Sequence, residues 1–280
     1  MSIRLRDAWG GQLGELRHEP VAKRVRARLA GGTVVDSNRA VLVWEPRRVV
    51  PTYAVPVEDI AAQLVASAAD PVKETGAAVG FAVPDVTDLP VLDPRIPFGV
   101  RSIAGQSVEI RVPGSGRSAL GFRPSDEDLS GYVILDFAGF DRWLEEDDEI
   151  ISHPHDPFHR IDIRTSSRHV QVMLGGEVLA DTVRPLLLFE TMLPVRYYIP
   201  RDDVTAALEP SRTTTYCAYK GEAAYWSVRV GGDIVADLIW HYENPLLDAQ
   251  PVRGHLAFFD EKTDLVIDGT PRPRPITPWS

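Results

Sequence analysis

The strongest constraint on the fold is that the chain reads nearly the same way twice. R-V-R-A-R-L-A-G-G-T-V-V-D, A-V-L-V-W-E, P-T-Y-A-V-P and V-E-D-I-A-A-Q-L follow one another from Arg24 to Leu64. R-H-V-Q-V-M-L-G-G-E-V-L-A-D, P-L-L-L-F-E and R-Y-Y-I-P-R-D-D-V-T-A-A-L repeat that order from Arg168 to Leu208. Gly31-Gly32 aligns with Gly175-Gly176, Asp36 with Asp181, Glu45 with Glu190, Pro56 with Pro200 and Asp59 with Asp203. A single repeat with a period of roughly 145 residues marks two duplicated domains, since solenoid units are far shorter. The later parts match more loosely, Phe122 with Trp240 and Asp141 with Asp264.

Within each copy, apolar residues alternate with polar ones and Gly-Gly steps separate the runs. Glycine reaches the positive φ of tight hairpins, so the pattern predicts antiparallel strands. V-M-L-G-G-E-V-L-A-D returns inside the second copy as V-R-V-G-G-D-I-V-A-D. Two related hairpins per copy predict an all-β fold: two tandem β-domains of small antiparallel sheets, each with one short helix. That helix is expected at V-E-D-I-A-A-Q-L, where Ile60, Ala61 and Leu64 have helical spacing and acids occupy the first turn. Residues 1–20 read as a tail, and Ala66 to Pro94 as a long surface loop inserted in the first copy. H-P-H-D-P-F-H-R, broken by Pro154 and Pro157, reads as a stiff linker. The domains are thus expected at 1–152 and 163–280, joined by 153–162. The tail P-R-P-R-P-I-T-P-W-S is expected to lie extended on the surface.

Composition narrows the function classes. A formal net charge of -10 opposes nonspecific phosphate binding, so nucleic acid is not an expected partner. No run of eighteen apolar residues occurs, and the N-terminus lacks the apolar core of a signal peptide. With one cysteine and no internal disulfide, a cytoplasmic protein without membrane contact is expected. Homo-oligomer formation stays open.

Chemistry concentrates in Thr213–Ser227, T-T-T-Y-C-A-Y-K-G-E-A-A-Y-W-S, whose T-T-T-Y-C-A-Y-K-G part has no counterpart in the first copy. In an extended strand, Thr215, Cys217 and Tyr219 share one face, with Lys220 at its end. A thiol beside an ammonium is a potential nucleophile, while Lys220 and the Gly221 amide are suited to an anion. The bland reading is a small buried thiol and a solvated strand end. Glu190 closes an apolar run and needs a partner. Lys220 is the candidate, with His255 completing an acid/base set. The catalytic candidates are therefore Lys220, Cys217 and Glu190. Six of the eight tyrosines lie in the second copy. Aromatic rings with polar tips line pockets as well as cores, so Tyr198, Thr215, Tyr219, Tyr225, Trp226, Trp240 and His255 are the ligand-binding candidates. His153, His155 and His159 have chelating spacing in an extended chain, but packing explains a His-rich linker equally well, and no metal site is assigned. Asp202-Asp203 repeats as Glu58-Asp59 at an element start, where capping accounts for acids without metal. Phosphate-loop, dinucleotide and nucleophile-elbow motifs do not occur.

The segments G-G-E-V-L-A-D, L-L-F-E-T, Y-Y-I-P-R-D-D-V, T-T-T-Y-C-A-Y-K-G, A-Y-W-S-V, W-H-Y-E-N-P and G-H-L-A-F-F resemble bacterial proteins catalogued as domain of unknown function 427, in the two-domain arrangement common in actinobacteria. The resemblance implies a compact fold similar to the β-tent and brings no established activity. It also carries a nucleotidyltransferase-like label, which requires closely spaced carboxylates for two metals. The paired Cys-x-x-Cys clusters of zinc-bound β-tents are missing, so no structural zinc is expected. Three functions follow as expectations. The first is binding of a small polar or anionic ligand in an aromatic pocket of the second domain. The alternatives are an enzyme using Lys220 or Cys217, and an interaction scaffold without a small ligand. The cofactor is unknown on any of these readings.

Overall fold

A computed structural model describes residues 2–67, 72–73, 80–83, 87–92, 94–277 and 279–280. The chain divides into two compact units, Met1–Asp156 and Pro157–Ser280. In the first, a short helix α1 (Leu5–Gly11) precedes β1 (Arg17–Pro20), β2 (Val25–Leu29), β3 (Gly32–Ser37), β4 (Val41–Trp44), β5 (Thr52–Pro56) and β6 (Gln63–Ala66). Next come β7 (Val72–Lys73), β8 (Gly80–Val83), β9 (Thr87–Leu92) and β10 (Val100–Arg101). The unit ends with β11 (Gly105–Arg111), β12 (Ser118–Pro124), β13 (Tyr132–Leu135), β14 (Arg142–Glu145) and β15 (Asp148–Ile150).

The second unit contains β16 (Ile161–Thr165), β17 (Val170–Leu174), β18 (Glu177–Thr182), β19 (Leu186–Glu190), β20 (Arg196–Pro200) and β21 (Leu208–Cys217). It continues with β22 (Gly221–Val230), β23 (Asp233–His241), β24 (His255–Phe258), β25 (Asp264–Ile267) and β26 (Thr270–Arg272). Each unit has a seven-stranded antiparallel sheet, β1-β4-β5-β13-β12-β11-β6 in the first and β16-β19-β20-β24-β23-β22-β21 in the second. Each also has a four-stranded sheet, β15-β14-β2-β3 and β18-β17-β25-β26. The fold is all-β, and corresponding strands occupy corresponding places in the two units.

The central strands of the large sheets are buried on both faces, which explains why they read as continuous apolar runs. Tyr53 and Val55 of β5 enter the core shared with the small sheet, while Ala54 between them joins a second cluster with Val41, Val43 and Phe122. In the second unit Ile199, Leu256 and Phe258 face the first core, whereas Tyr198, Trp240 and Ala257 face the second. That second face is the one that Tyr198, Tyr225 and Trp240 occupy.

Several expectations need correction. The first hairpin turns at Ala30-Gly31, since Leu29 pairs with Gly32. Both turn residues have positive φ (53° and 80°), so Ala30 adopts what Gly175 (60°) adopts in the second unit. The expected helix after Pro56 is one 3-10 turn, Val57–Asp59, followed by β6. Ala61 donates to Val34 O at 2.8 Å, and β6 pairs with β11, so sheet pairing overrides helical spacing. The N-terminal tail forms α1 and β1, the latter paired with β4. The expected surface loop after Ala66 contains a hairpin, β8–β9, and the rest of that expectation lies partly outside the described residues. The C-terminal tail is not simply extended: β26 pairs with β25, and Thr277 is buried. No helix among the described residues is long and apolar enough to cross a membrane.

Candidate functional site

The β21–β22 hairpin carries the chemically dense stretch. Cys217 pairs with Gly221, leaving Ala218, Tyr219 and Lys220 as the loop, and all three are buried. Hairpin tips normally meet solvent, but here Lys220 O accepts from Leu246 N at 3.1 Å. Gly221 re-enters the strand at φ +96°, a conformation that strains a residue with a Cβ. The loop thereby directs the Lys220 side chain to Glu190 at the end of β19. Lys220 Nζ donates to Glu190 Oε2 at 2.5 Å, and both side chains are buried. His159 Nε2 lies 3.0 Å from the other oxygen, Glu190 Oε1, and its ring stacks on Tyr219 with centroids 4.4 Å apart. The β16–β19 register sets Ile161 opposite Glu190, bringing the chain just upstream of it to the carboxylate.

Burial alone would raise the Glu190 carboxyl, but the Lys220 ammonium and the His159 contact bring it down to about 2. Burial would likewise lower the Lys220 pKa, yet Glu190, with Cys217 and Tyr198, holds it above its ordinary value. The pair is ionised across the physiological range. Lys220 is therefore an ammonium and a hydrogen-bond donor, unsuited to act as a neutral amine nucleophile. Of its three N–H groups, one has an acceptor among the described residues. Tyr198, pushed up to about 12 chiefly by burial, accepts from Trp240 Nε1 at 3.2 Å.

Thr215 and Cys217 lie on the same strand face, as their spacing requires. Thr215 Oγ1 meets Tyr225 Oη at 2.7 Å, and Cys217 is a half-buried free thiol. Tyr219 belongs to the loop, so strand alternation does not place it on that face. Trp226 packs against the other core and stacks on His241, because neighbours on a strand point to opposite sides. Its Nε1 is buried without a partner among the described residues. His255 is also absent from the acid/base set. It pairs across from Pro200, and its Nδ1 contacts Arg253 O at 3.1 Å. His159 holds the place expected of His255, a relation encoded only in strand register. Tyr242, buried beside Tyr198 and Trp240, also escaped the sequence reading. Its signal was the W-H-Y alternation, which puts Trp240 and Tyr242 on one face.

The linker histidines do not act together. His153 Nδ1 contacts Pro154 O, His155 N donates to Glu145, and His159 is engaged by Glu190. Among the described residues, no group of three or more metal-ligating side chains converges. Asp203 is held by Arg184 (2.7 and 3.0 Å) and Thr182 (2.6 Å). Its counterpart Asp59 is held in the same way by Arg39 and Ser37. Asp203 of the nucleotidyltransferase reading, like Asp59 in the first unit, is thus engaged in a structural tie.

The first unit retains an acid–cation pair after all. Glu45 directly follows β4 in the place where Glu190 closes β19, and Arg101 Nη1 donates to Glu45. Arg101 lies beyond the insertion, four residues before β11, whereas Lys220 immediately precedes β22. The inserted segment occupies the chain position of the second unit's three-residue loop.

A further buried cluster joins the C-terminal tail to the second sheet face. Arg196 forks onto Glu261 at 3.0 and 2.5 Å, and Thr277 Oγ1 donates to Glu261 at 2.5 Å. The guanidinium also sits near the Trp240 and Trp279 rings, at 5.4 and 5.5 Å from their centroids. Asp260 lies at 3.6 Å from Arg196. Burial outweighs that longer contact and raises its carboxyl to about 7.

Residues 162–269 match the family model described as domain of unknown function (DUF427). No curated protein matches the chain. The matched residues span the second unit from β16 to β25 and include Glu190, Cys217 and Lys220, so it is the second unit that carries the DUF427 match.

Proposed function

We propose that the second unit binds a small polar or anionic molecule beside Lys220, on the sheet face bearing Thr215, Cys217, Tyr225 and Tyr198. One observation carries this reading: a buried ammonium uses one of its three donors among the described residues. Donors left unused on a buried ammonium are costly, and an oxyanion or carbonyl oxygen is their natural complement. Cys217 and the Thr215–Tyr225 hydroxyl pair supply further polar groups near the hairpin. The rings of Tyr198, Trp240 and Tyr242 give an apolar floor typical of small-molecule sites. Binding is favoured over lysine catalysis because Glu190 keeps the amine protonated.

The test is a thermal-shift screen of small carboxylates, phosphates and polar neutral metabolites. The wild type is compared with the charge-balanced double variant Lys220→Met/Glu190→Gln. Compounds that raise the wild-type midpoint are expected to leave that of the double variant unchanged. Equal stabilisation of both, or of neither by any compound, would overturn the proposal.

A further inference from the structure

We propose that the first unit has an oxyanion site of its own, in which Arg101 holds a small carboxylate- or phosphate-bearing molecule. A cavity of about 250 Å³ opens there, and Glu45, Arg48, Phe98, Arg101, Asp136 and His153 contribute to its wall. Arg101 is buried. Its Nη1 is bonded to Glu45, while its Nη2 is buried without an acceptor among the described residues. Glu45 has no oxygen in reserve: Oε1 takes Arg101, and Oε2 takes Ser102 N at 3.0 Å and Ser102 Oγ at 3.4 Å.

Phe98 and Phe122 lie over the guanidinium, 3.7 and 4.5 Å from ring centroid to Cζ. Guanidinium donors point outward in the plane of the group, where flanking rings leave them available. A planar donor edge matches the two oxygens of a carboxylate or phosphate. The surroundings also favour an anion. Arg48 is anchored in the wall by its bond to Val100 O at 2.7 Å. Glu45 is neutralised by Arg101. Asp136 is raised above the usual carboxylate range by burial, and its Oδ1 accepts from Ala138 N at 3.2 Å. The volume falls below the roughly 300 Å³ at which pockets for drug-sized ligands begin, so the ligand is a small acid.

The second unit handles the same face differently. Tyr198 stands opposite Leu186 and Ala257, whereas the first unit has Ala54 opposite Val41 and Ile134. Phe98 and Ile103, from the stretch between the insertion and β11, pack on that face instead. On this proposal the first copy carries an arginine where the second presents Lys220, in surroundings of different shape.

The test uses the full chain carrying Lys220→Met/Glu190→Gln, which removes the second unit's ammonium. Inorganic phosphate and acetate are titrated separately by calorimetry, distinguishing a phosphate ligand from a carboxylate one. One of them is expected to bind at one site per chain, about tenfold or more weakly after Arg101→Lys. Arginine side-chain nitrogen resonances of the wild type provide a readout that needs no variant, since those of Arg101 should shift on saturation. Failure of both anions to bind, unchanged affinity in Arg101→Lys, or unmoved Arg101 resonances would each overturn the proposal. A site lost only through the second-unit substitutions would instead belong to Lys220, and would likewise refute the assignment to Arg101.

Discussion

Replacing Lys220 by methionine keeps most of the buried stem and removes the charge that Glu190 faces. The carboxyl lies at about 2 against an ordinary 4.5, and each unit corresponds to about 1.4 kcal/mol. The interactions that favour its ionised form therefore contribute on the order of 3 kcal/mol. Removing one partner of a buried pair independently suggests about 3–5 kcal/mol. The lower end applies, because His159 still contacts Glu190 Oε1. For a unit of this size, about 3 kcal/mol lowers the midpoint by roughly 10 °C. The dependence on pH separates charge from packing. In the wild type the depressed carboxyl contributes stability that is present above its unfolded pKa and is lost as pH falls toward 2. In the variant burial is less opposed, so the folded pKa rises above the unfolded one, and protonation on acidification relieves the strain. The destabilisation measured by urea unfolding should be largest near neutrality and shrink toward about pH 4. Lys220→Met/Glu190→Gln should recover much of the loss. A cost below about 1 kcal/mol near neutrality, or one that does not change between neutral and acidic pH, would refute the electrostatic reasoning.

Three further outcomes can be checked by denaturation. Asp260→Asn should stabilise the chain above pH 7 and have little effect near pH 5, because a carboxyl raised to about 7 weakens the fold as it ionises on rising pH. A shift that is the same at both pH values would contradict that titration. Tyr198→Phe removes the acceptor of Trp240 Nε1 and should cost about 1–2 kcal/mol, read from the unfolding midpoint. Thr277→Val removes a buried bond to Glu261 and should cost a similar ~1–2 kcal/mol. An unchanged midpoint would mean that the tail contributes nothing there.

Relations carried by local pattern were legible in the sequence, and those carried by register or long-range closure were not. Alternation and glycine steps identify the strands, and a carboxylate at the end of an apolar run implies a cation such as Lys220. His159 was out of reach because its contact with Glu190 depends on Ile161 pairing with Glu190, which composition does not determine. His255 looked equivalent along the chain but lies by Pro200. Trp226 illustrates the converse: the density of aromatics in the second copy suggested a pocket wall, and strand geometry sends it to the other core. Val57–Leu64 satisfied helical spacing, yet the backbone found sheet partners, and tertiary pairing outweighs so short a local preference. Arg101 reaches Glu45 across 56 positions, from a stretch between β6 and β11 that the other copy replaces with a three-residue loop. The proline-rich tail lacked any local reason to dock, because its anchor is an arginine on β20.

The reading that Lys220 donors serve a bound ligand is tested most directly at the lone cysteine. Cys217 lies beside Lys220 on the same hairpin, and the rate of its alkylation by iodoacetamide can be followed with and without small carboxylates and phosphates. At least one such anion should slow modification in the wild type and leave Lys220→Met/Glu190→Gln unaffected. A rate indifferent to every anion, or protection that persists in the double variant, would contradict it.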